Sequence, residues 1–349
     1  MKPVIFGLSG LTLIDDEARL FRDVQPAGYI LFKRNIEDRA QVRALTDSLR
    51  QLHGRDDVPV LIDQEGGRVA RMRSPVWPDF PAGAAFDALY DLAPMTAIEA
   101  ARSNAEAIAL VLAEVGINVD CLPVLDVRVP DTHSAIGDRA LGSEPMRVAA
   151  LGRAILDGLA AGGVIGVVKH MPGQGRATVD THHDLPHVHA AEAELEQDLA
   201  PFRALHNAPM GMTGHIVYDA WDDANTATMS PTVIEEVIRG KIGFDGLLMS
   251  DDLEMNALSG DVPTRALNCV EAGCDIALNC WGRFDEMVAI AEKLPDITDV
   301  ARTRLARAMT GARMDFDGDR LAHLLDKRDR LLALTDTGIK LTHGATGAA

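Results

Sequence analysis

Short apolar runs recur along the chain and alternate with longer stretches in which apolar residues return about every three or four positions. Eight such runs are present, at residues 3–8, 28–32, 58–62, 117–125, 164–168, 210–213, 247–249 and 276–279. Helical spacing is found at residues 38–52, 95–115, 145–161, 192–206, 231–239 and 284–294. Short apolar runs separated by amphipathic helices are typical of β-α units that build a buried parallel sheet.

Eight β-α units without an obvious linker favour a closed barrel. The predicted fold class is α/β, a single (β/α)8 TIM-type barrel whose C-terminal helices, from about residue 296, pack outside it. An open doubly wound sheet is the alternative, because strand counts made from one sequence are error-prone. The predicted catalytic domain covers residues 1–341, and the small, polar residues 342–349 are predicted to form a flexible tail.

Composition and charge narrow the classes of function. The chain has 349 residues and a net charge of −18, and this charge repels a phosphate backbone, so no nucleic-acid partner is expected. No apolar run approaches the roughly 18 residues of a membrane span, and Asp15 and Asp16 interrupt the N-terminal run too early for a signal peptide. These features predict a cytoplasmic protein with no membrane partner. The four cysteines lack C-x-x-C spacing, three of them are expected in the core, and no metal or cofactor is predicted.

The chemistry of such a barrel is expected where strands end and loops begin. The third run ends in IDQEGGRVARMR, which places Asp63 near Arg71 and includes two glycines that allow a sharp turn. A carboxylate beside an arginine can hold sugar hydroxyls, or it can form a structural ion pair. The structural role has more weight for Glu65 and Arg68 of the same segment than for Asp63 and Arg71. Arg139, after the fourth run, has by itself the features of a surface arginine.

The fifth run leads into a segment rich in polar side chains. Lys169 and His170 stand at the predicted strand end, and Asp180 and His182 follow after a glycine-containing loop. In an extended segment, residues two apart point the same way, so Asp180 is expected to orient His182 and stabilise its protonated form. A histidine with a pKa near neutral can serve as general acid and base. His215, after the sixth run, can line the same pocket and is given no catalytic role.

The seventh run ends in two adjacent aspartates. Asp251 follows Ser250 directly, in the segment LLMSDDLEM. Glycoside hydrolysis needs a carboxylate below the sugar ring to stabilise an oxocarbenium-like centre, and Asp251 suits that role. Because adjacent carboxylates repel each other, Asp252 is expected to point elsewhere and to cap the N-terminus of a helix.

Taken together, the motifs resemble those of family 3 glycoside hydrolases, in particular the bacterial β-N-acetylhexosaminidases of peptidoglycan recycling. The resemblance extends from about residue 3 to residue 294, and several ordered motifs at consistent spacing make it specific. The motifs are GYILFKRNI, IDQEGGRVARMR, PVLDV with IGDRALG, KHMPGQG with DTHHDLP, GHIVYD, and GFDGLLMSDDLEM.

This resemblance implies a single-domain, retaining exo-β-N-acetylglucosaminidase that forms a covalent glycosyl-aspartate. Asp251 matches the nucleophile, His182 matches the acid/base histidine, and Asp180 matches its partner. The residues that match those holding the N-acetylglucosamine ring are Asp63, Arg71, Arg139, Lys169 and His170. The implied substrate is a muropeptide, such as an N-acetylglucosaminyl-1,6-anhydro-muramyl fragment. No metal or cofactor is implied.

Two positions depart from the usual motifs of the family. Gln174 stands where PGHG is usual, and Thr181 stands where DSH is usual. The first change can alter hydrogen bonding within its loop, whereas the second keeps the hydroxyl. Neither change removes a member of the implied catalytic pair.

Other functions stay open from the sequence. Attack by the substrate's own acetamido oxygen, or phosphate in place of water as acceptor, would change the mechanism and the product. An inactive sugar-binding protein would need no nucleophile, so the presence of Asp251, Asp180 and His182 argues against it. A β-glucosidase is the nearest rival, but the larger family 3 glucosidases carry extra domains and lack the KH…DxH loop.

Overall fold

The structure, a computed structural model, describes residues 1–337. The predicted tail at 342–349 and the end of the predicted domain at 338–341 lie outside the described residues, so the domain boundary stays a prediction. The strands are β1 (Lys2–Gly7), β2 (Pro26–Leu31), β3 (Val60–Ile62), β4 (Val119–Asp120), β5 (Ile165–Met171), β6 (His187–Val188), β7 (Met210–Thr213), β8 (Val217–Tyr218), β9 (Asp222–Thr226), β10 (Leu247–Asp252) and β11 (Ile276–Asn279).

The helices lie between and after these strands. They are α1 (Asp15–Val24), α2 (Arg39–His53), α3 (Gly83–Leu92), α4 (Pro94–Glu114), α5 (Pro145–Ala161), α6 (Glu192–Ala204), α7 (Val262–Ala272), α8 (Phe284–Lys293), α9 (Asp299–Met309) and α10 (Gly318–Leu332). A helix of the wider π type covers Val233–Lys241 and occupies the place between β9 and β10.

Eight strands close into a parallel barrel in the order β1-β11-β10-β7-β5-β4-β3-β2. The barrel closes between β1 and β11, where Val4 stands opposite Ala277 and Phe6 stands opposite Asn279. Each barrel strand overlaps one of the eight predicted apolar runs, so the (β/α)8 barrel is confirmed and the open doubly wound sheet is wrong. All these strands end at the same rim, which brings the segments that follow them together.

The barrel interior is filled by alternate side chains of the strands. Ile5, Leu61, Val167 and Met249 belong to one buried cluster inside the barrel. The intervening side chains, such as those of Val4 and Phe6, pack outward under the helices. This alternation follows from the two-residue period of a strand, and it makes the interior a packed core rather than a channel.

The two C-terminal helices occupy different places. Helix α10 packs outside the barrel, where Arg328 reaches the side chain of Asn104 on α4 at 3.3 Å. Helix α9 lies across the N-terminal end of the barrel, because its Ala301 and Leu305 join the interior cluster. The predicted packing on the exterior therefore describes α10, whereas α9 closes the barrel opposite the rim that carries the loops.

Three helices and a small sheet are absent from the sequence prediction. Helices α1, α3 and α7 were not predicted, and a second sheet, in the order β6-β8-β9, lies outside the barrel. Two of its strands are only two residues long, which is too short for a periodic pattern. All four cysteines are buried and free, as expected of core residues. Among the described residues, none of the helices has the length and apolar character needed to cross a bilayer.

Candidate active site

A cleft opens at the rim where the barrel strands end. Every site residue predicted from the sequence lines it: Asp63, Arg71, Arg139, Lys169, His170, Asp180, His182 and Asp251. These residues come from four separate loops or strand ends, spread over nearly two hundred positions of the chain. The barrel brings them together because its parallel strands all end at one rim.

The floor of the cleft is a network of alternating charges. The Lys169 ammonium donates to Asp63 Oδ1 at 2.9 Å and lies 2.7 Å from Glu65 Oε1. Arg139 donates to both carboxylate oxygens of Glu65 at 2.8 Å, and Arg71 donates to Asp63 Oδ2 at 3.0 Å. Glu65, for which a structural role has more weight in the sequence than for Asp63, is therefore the carboxylate that joins two of the predicted sugar-binding cations.

This network keeps its members ionised although they are buried. Burial alone would raise the pKa of Asp63, but Lys169 and Arg71 outweigh it and hold that pKa well below its usual range. Burial is likewise outweighed at Glu65, where Arg139 and Lys169 lower the pKa to about 2. The carboxylates in turn raise the pKa of Lys169 against the effect of its own burial. The floor therefore presents fixed charges to a ligand at neutral pH.

A tight loop after β3 holds Asp63 and Arg71 in place. Gly66 has φ +102°, and a Cβ there would meet the carbonyl oxygen of Pro81 at 2.2 Å, so the turn requires glycine. The buried side chain of Gln64 accepts from the backbone N–H of Arg71 at 2.9 Å. The Arg71 guanidinium also lies over the ring of Phe32 at 5.2 Å. These contacts fix the arginine that is aimed at the cleft.

Asp251 stands at the end of β10 and faces the cleft. Its Oδ1 accepts from the backbone N–H of Asp252 at 2.8 Å, and its Oδ2 lies 4.0 Å from His170 Nε2. Asp252 does not cap a helix, contrary to the prediction. It belongs to β10, and helix α7 begins ten residues later with Asp261 as its cap. Burial raises the pKa of Asp252 to about 6.

Asp126 orients His170 and was missed from the sequence. This fully buried carboxylate accepts from His170 Nδ1 at 2.7 Å and from the backbone N–H groups of His170 and Gln174 at 3.2 and 2.7 Å. Burial opposes its ionisation, but His170 and these hydrogen bonds lower the pKa of Asp126 overall. The signal was present, because Asp126 follows the apolar residues PVL at the end of the fourth run.

Replacing Asp126 by Asn is expected to lower kcat/KM by about 10- to 100-fold, the range of a hydrogen bond to a charged group. The amide keeps the shape but no longer fixes His170 beside Asp251. Steady-state kinetics and thermal unfolding measure the effect on activity and on stability separately. Asp275→Asn is the control, since Asp275 is a buried carboxylate that pairs with Arg239 at 2.8 Å at the start of β11. An Asp126→Asn variant with unchanged kcat/KM would contradict this positioning role.

The Asp180–His182 contact exists, but its geometry differs from the expected one. Asp180 Oδ1 accepts from His182 Nδ1 at 2.7 Å and from the His182 backbone N–H at 3.0 Å. These residues form a turn rather than an extended segment, because His183 also donates its backbone N–H to the Asp180 carbonyl oxygen at 2.9 Å. Burial opposes ionisation of Asp180, yet the bonds from His182 lower its pKa. The His182 side chain itself is 63% exposed.

His215 is a structural residue, and it does not line the cleft. It is fully buried, with Nδ1 at 2.8 Å from Thr228 Oγ1 and Nε2 donating to the Asp252 carbonyl oxygen at 2.9 Å. Burial lowers its pKa, which favours the neutral ring. Within residues 1–337, no group of three or more His, Cys, Asp or Glu side chains is arranged to hold a metal ion.

Comparison with known proteins identifies the family of this chain. The model of the glycosyl hydrolase family 3 N-terminal domain matches residues 8–310. The chain belongs to glycosyl hydrolase family 3. Among curated family 3 relatives, the β-hexosaminidase of Alkalilimnicola ehrlichii is 38% identical over 310 residues, which is 87% of this chain and 88% of that one. The β-hexosaminidase of Bordetella avium is 35% identical over 321 residues, which is 90% of each chain.

Solved family 3 structures agree in fold. Native NagZ from Neisseria gonorrhoeae superposes with a TM-score of 0.85 at 30% identity, covering 96% of this chain and 98% of that one. The same protein in complex with N-trifluoroacetyl-D-glucosamine gives a TM-score of 0.84 at 30% identity. The chain is therefore a family 3 glycoside hydrolase with the barrel of NagZ.

Gln174, which replaces the usual histidine of the PGHG motif, leaves the hydrogen bond between its loop and Asp126 intact. Its backbone N–H donates to Asp126 Oδ1, and its side chain is 4% exposed and lines the cleft. The hydrogen bond that ties this loop to Asp126 uses the backbone, so it does not depend on the side chain at this position.

Proposed function

We propose that this family 3 enzyme removes terminal β-linked N-acetylglucosamine from peptidoglycan-derived fragments with retention of configuration. The observation that carries the proposal is that Asp251 and the Asp180–His182 pair line one cleft whose floor is a fixed set of charges. The Asp63, Arg71 and Lys169 groups offer charged hydrogen-bond partners to the hydroxyls of one sugar ring, which supports action at a chain terminus.

In the first step, Asp251 is the nucleophile and His182 is the acid. A carboxylate oxygen of Asp251 bonds to the anomeric carbon while the bond from that carbon to the leaving oxygen breaks. His182 Nε2 gives its proton to the leaving oxygen, since Nδ1 is held by Asp180. The product of this step is a glycosyl-aspartate and a free alcohol.

In the second step, water replaces the aspartate. His182 Nε2 takes one proton from the water as its oxygen bonds to the anomeric carbon, and the ester bond to Asp251 breaks. This restores the Asp251 carboxylate and the protonated His182 and releases N-acetylglucosamine. Two displacements at one carbon leave its configuration unchanged. The carboxylate of Asp180 stabilises the protonated imidazole, which is present before the first step and forms again in the second.

The muropeptide substrate rests on the family resemblance. The curated relatives are named β-hexosaminidases, and the NagZ complex contains an N-acetylglucosamine analogue. An N-acetylglucosaminyl-1,6-anhydro-muramyl fragment has the terminal sugar that this cleft suits. This proposal also includes the predicted cytoplasmic role in peptidoglycan recycling.

Aryl glycosides provide the first test of specificity. We expect hydrolysis of an aryl β-N-acetylglucosaminide at least about tenfold faster, in kcat/KM, than that of the matching β-glucoside, because a site that hydrogen-bonds the acetamido group of its substrate loses those hydrogen bonds with the glucoside. EDTA is expected to leave the rate unchanged, and added phosphate is expected to yield no sugar phosphate. A preference for the glucoside would make the chain a β-glucosidase, a sugar phosphate would make it a phosphorylase, and binding without turnover would make it an inactive sugar-binding protein.

A further inference from the structure

A short irregular segment joins the strand of Asp251 to helix α7. It covers residues 253–259 and begins directly after β10. Its Met255 side chain lines the active-site cleft. The segment has no helix or strand of its own. Its shape depends on turn hydrogen bonds, such as that from the Leu258 N–H to the Met255 carbonyl oxygen at 3.2 Å, and on contacts made to its backbone from outside.

Arg265, on α7, holds this segment through its backbone. The guanidinium donates to four carbonyl oxygens, those of Leu253 at 2.7 Å, Met255 at 3.2 Å, Leu258 at 2.5 Å and Ser259 at 3.4 Å. A guanidinium carries five N–H donors in a rigid plane and stays charged, so it can hold several carbonyl groups at once. An ammonium group at the same place cannot reach all four.

The held segment also touches the loop of the candidate acid. The backbone N–H of Ala257 donates to the carbonyl oxygen of Thr181 at 3.2 Å. Thr181 is the residue between Asp180 and His182, and only 3% of it is exposed, in contrast to the exposed His182. The loop is therefore anchored at its centre by the segment that follows the nucleophile strand.

Side-chain packing beside this anchor is incomplete. A second cleft lies between Leu185, in the loop that carries His182, and a surface that includes Leu258 and Arg265. Where apolar packing is open, a backbone hydrogen bond carries a larger share of the docking free energy. The position of the loop should respond strongly to any change in the shape of the segment.

We propose that Arg265 is a positioning residue which, through the segment 253–259 and the Ala257–Thr181 hydrogen bond, holds His182 where it can protonate the leaving oxygen while Asp251 attacks the anomeric carbon. The inference rests on the proposed function, because it assigns Arg265 a task only if His182 is the acid. Arg265 itself touches neither substrate nor reacting atoms in this account.

A misplaced acid has a kinetic signature that general destabilisation does not have. Proton donation matters when the leaving alcohol is a poor leaving group and matters little when it leaves readily as an anion. The value of kcat/KM reports the first chemical step. Loss of positioning should therefore lower kcat/KM for a phenyl glycoside far more than for a dinitrophenyl glycoside.

The experiment compares Arg265→Met and Arg265→Lys with His182→Gln on these two N-acetylglucosaminides. We expect His182→Gln to lose about 100-fold or more in kcat/KM on the phenyl substrate, and Arg265→Met about 10- to 100-fold. Both variants should lose less than about threefold on the dinitrophenyl substrate. The kcat/KM of Arg265→Lys on the phenyl substrate should lie between those of the wild type and Arg265→Met.

Arg239→Lys is the matched control. Arg239 also holds backbone carbonyl groups beside β10, those of Phe244 at 2.9 Å and Gly246 at 2.8 Å, but at the opposite end of the strand. The Arg239→Lys variant should have a lower unfolding temperature, but the ratio of its kcat/KM values for the two substrates should equal that of the wild type. If Arg265→Met does not fold, Ala257→Pro removes the anchoring N–H without changing Arg265, and it should show the same selective loss.

The outcomes separate the two proposals. A His182→Gln variant that loses equal activity on both substrates would overturn the acid assignment and, with it, the task of Arg265. A selective loss in His182→Gln beside an equal loss, or none, in the folded Arg265 or Ala257 variants would overturn only the positioning role. A loss of kcat/KM confined to the phenyl substrate, in His182→Gln and in the Arg265 or Ala257 variants alike, supports the positioning role.

Discussion

Replacing Asp251 by Asn is expected to reduce kcat on the order of 10⁴-fold or more, because the amide cannot form the glycosyl ester on which both displacements depend. The variant should fold, since Asp251 lies at the cleft surface and its Oδ1 accepts a hydrogen bond that the amide oxygen can also accept. Steady-state hydrolysis of an aryl β-N-acetylglucosaminide measures the loss, and thermal unfolding measures the fold.

Asp252→Asn is the control for this prediction, since it removes the neighbouring carboxylate and should keep activity within about tenfold of wild type. A fluorinated N-acetylglucosaminyl fluoride should trap the intermediate, and peptide mapping should find the label on Asp251. Wild-type-like turnover of Asp251→Asn would exclude this nucleophile. A product formed without any trapped label would instead favour attack by the acetamido oxygen of the substrate.

Replacing Lys169 by Met is expected to lower the free energy of unfolding by about 3–5 kcal/mol at neutral pH, the range for breaking a buried ion pair. The Lys169 side chain is 2% exposed and stands between the carboxylates of Asp63 and Glu65. Without the ammonium, two buried negative charges face each other in the floor of the cleft. Sugar binding should fail as well, because the charged floor loses its central cation.

The loss of stability in Lys169→Met should depend on pH. In the wild type, Lys169 helps to hold the pKa of Asp63 below its ordinary value and that of Glu65 at about 2. This stability is present above the unfolded pKa of roughly 4 and is lost as the pH falls through the folded values. In the variant, the carboxylates regain protons at higher pH. The difference in unfolding free energy should therefore narrow between about pH 5 and pH 2.

Urea unfolding over this pH range measures the difference directly. Lys241→Met is the matched control, because the Lys241 side chain is 37% exposed in its ion pair with Glu192, and its loss should cost less than about 1 kcal/mol. A Lys169→Met variant that loses no more stability than this control, or that loses the same amount at every pH, would contradict the account of the charged floor.

The candidate site was predicted best where side chains directly follow an apolar run. Asp63, Lys169, His170 and Asp251 stand at strand ends, and parallel strands of a barrel must end at a common rim. Their meeting in one cleft therefore follows from local patterns alone. His182 lies far from its strand end, and its placement in the cleft depended on the family resemblance.

Two errors have a common physical cause. The Asp180–His182 contact was predicted from an extended segment, whereas it forms within a turn. Asp252 was predicted to cap a helix, whereas it continues β10. Both predictions used local features of a few residues. These were the two-residue period of an extended segment for Asp180 and His182, and the repulsion between adjacent carboxylates for Asp252. Short polar segments have no periodicity strong enough to define their backbone, so tertiary hydrogen bonds decide their conformation.

The amino-acid sequence by itself determined the alternation of buried strands and helices, the barrel, and the polar residues that its rim would collect, because hydrophobic periodicity is a property of neighbouring residues. Only the tertiary structure decided which charges pair between segments far apart in the chain. Glu65 meets Arg139 and Lys169, Asp126 meets His170, and Arg265 reaches the segment beside the histidine loop. These contacts join residues distant in the chain, and their strength depends on burial and on distances of about 3 Å, which no local pattern specifies.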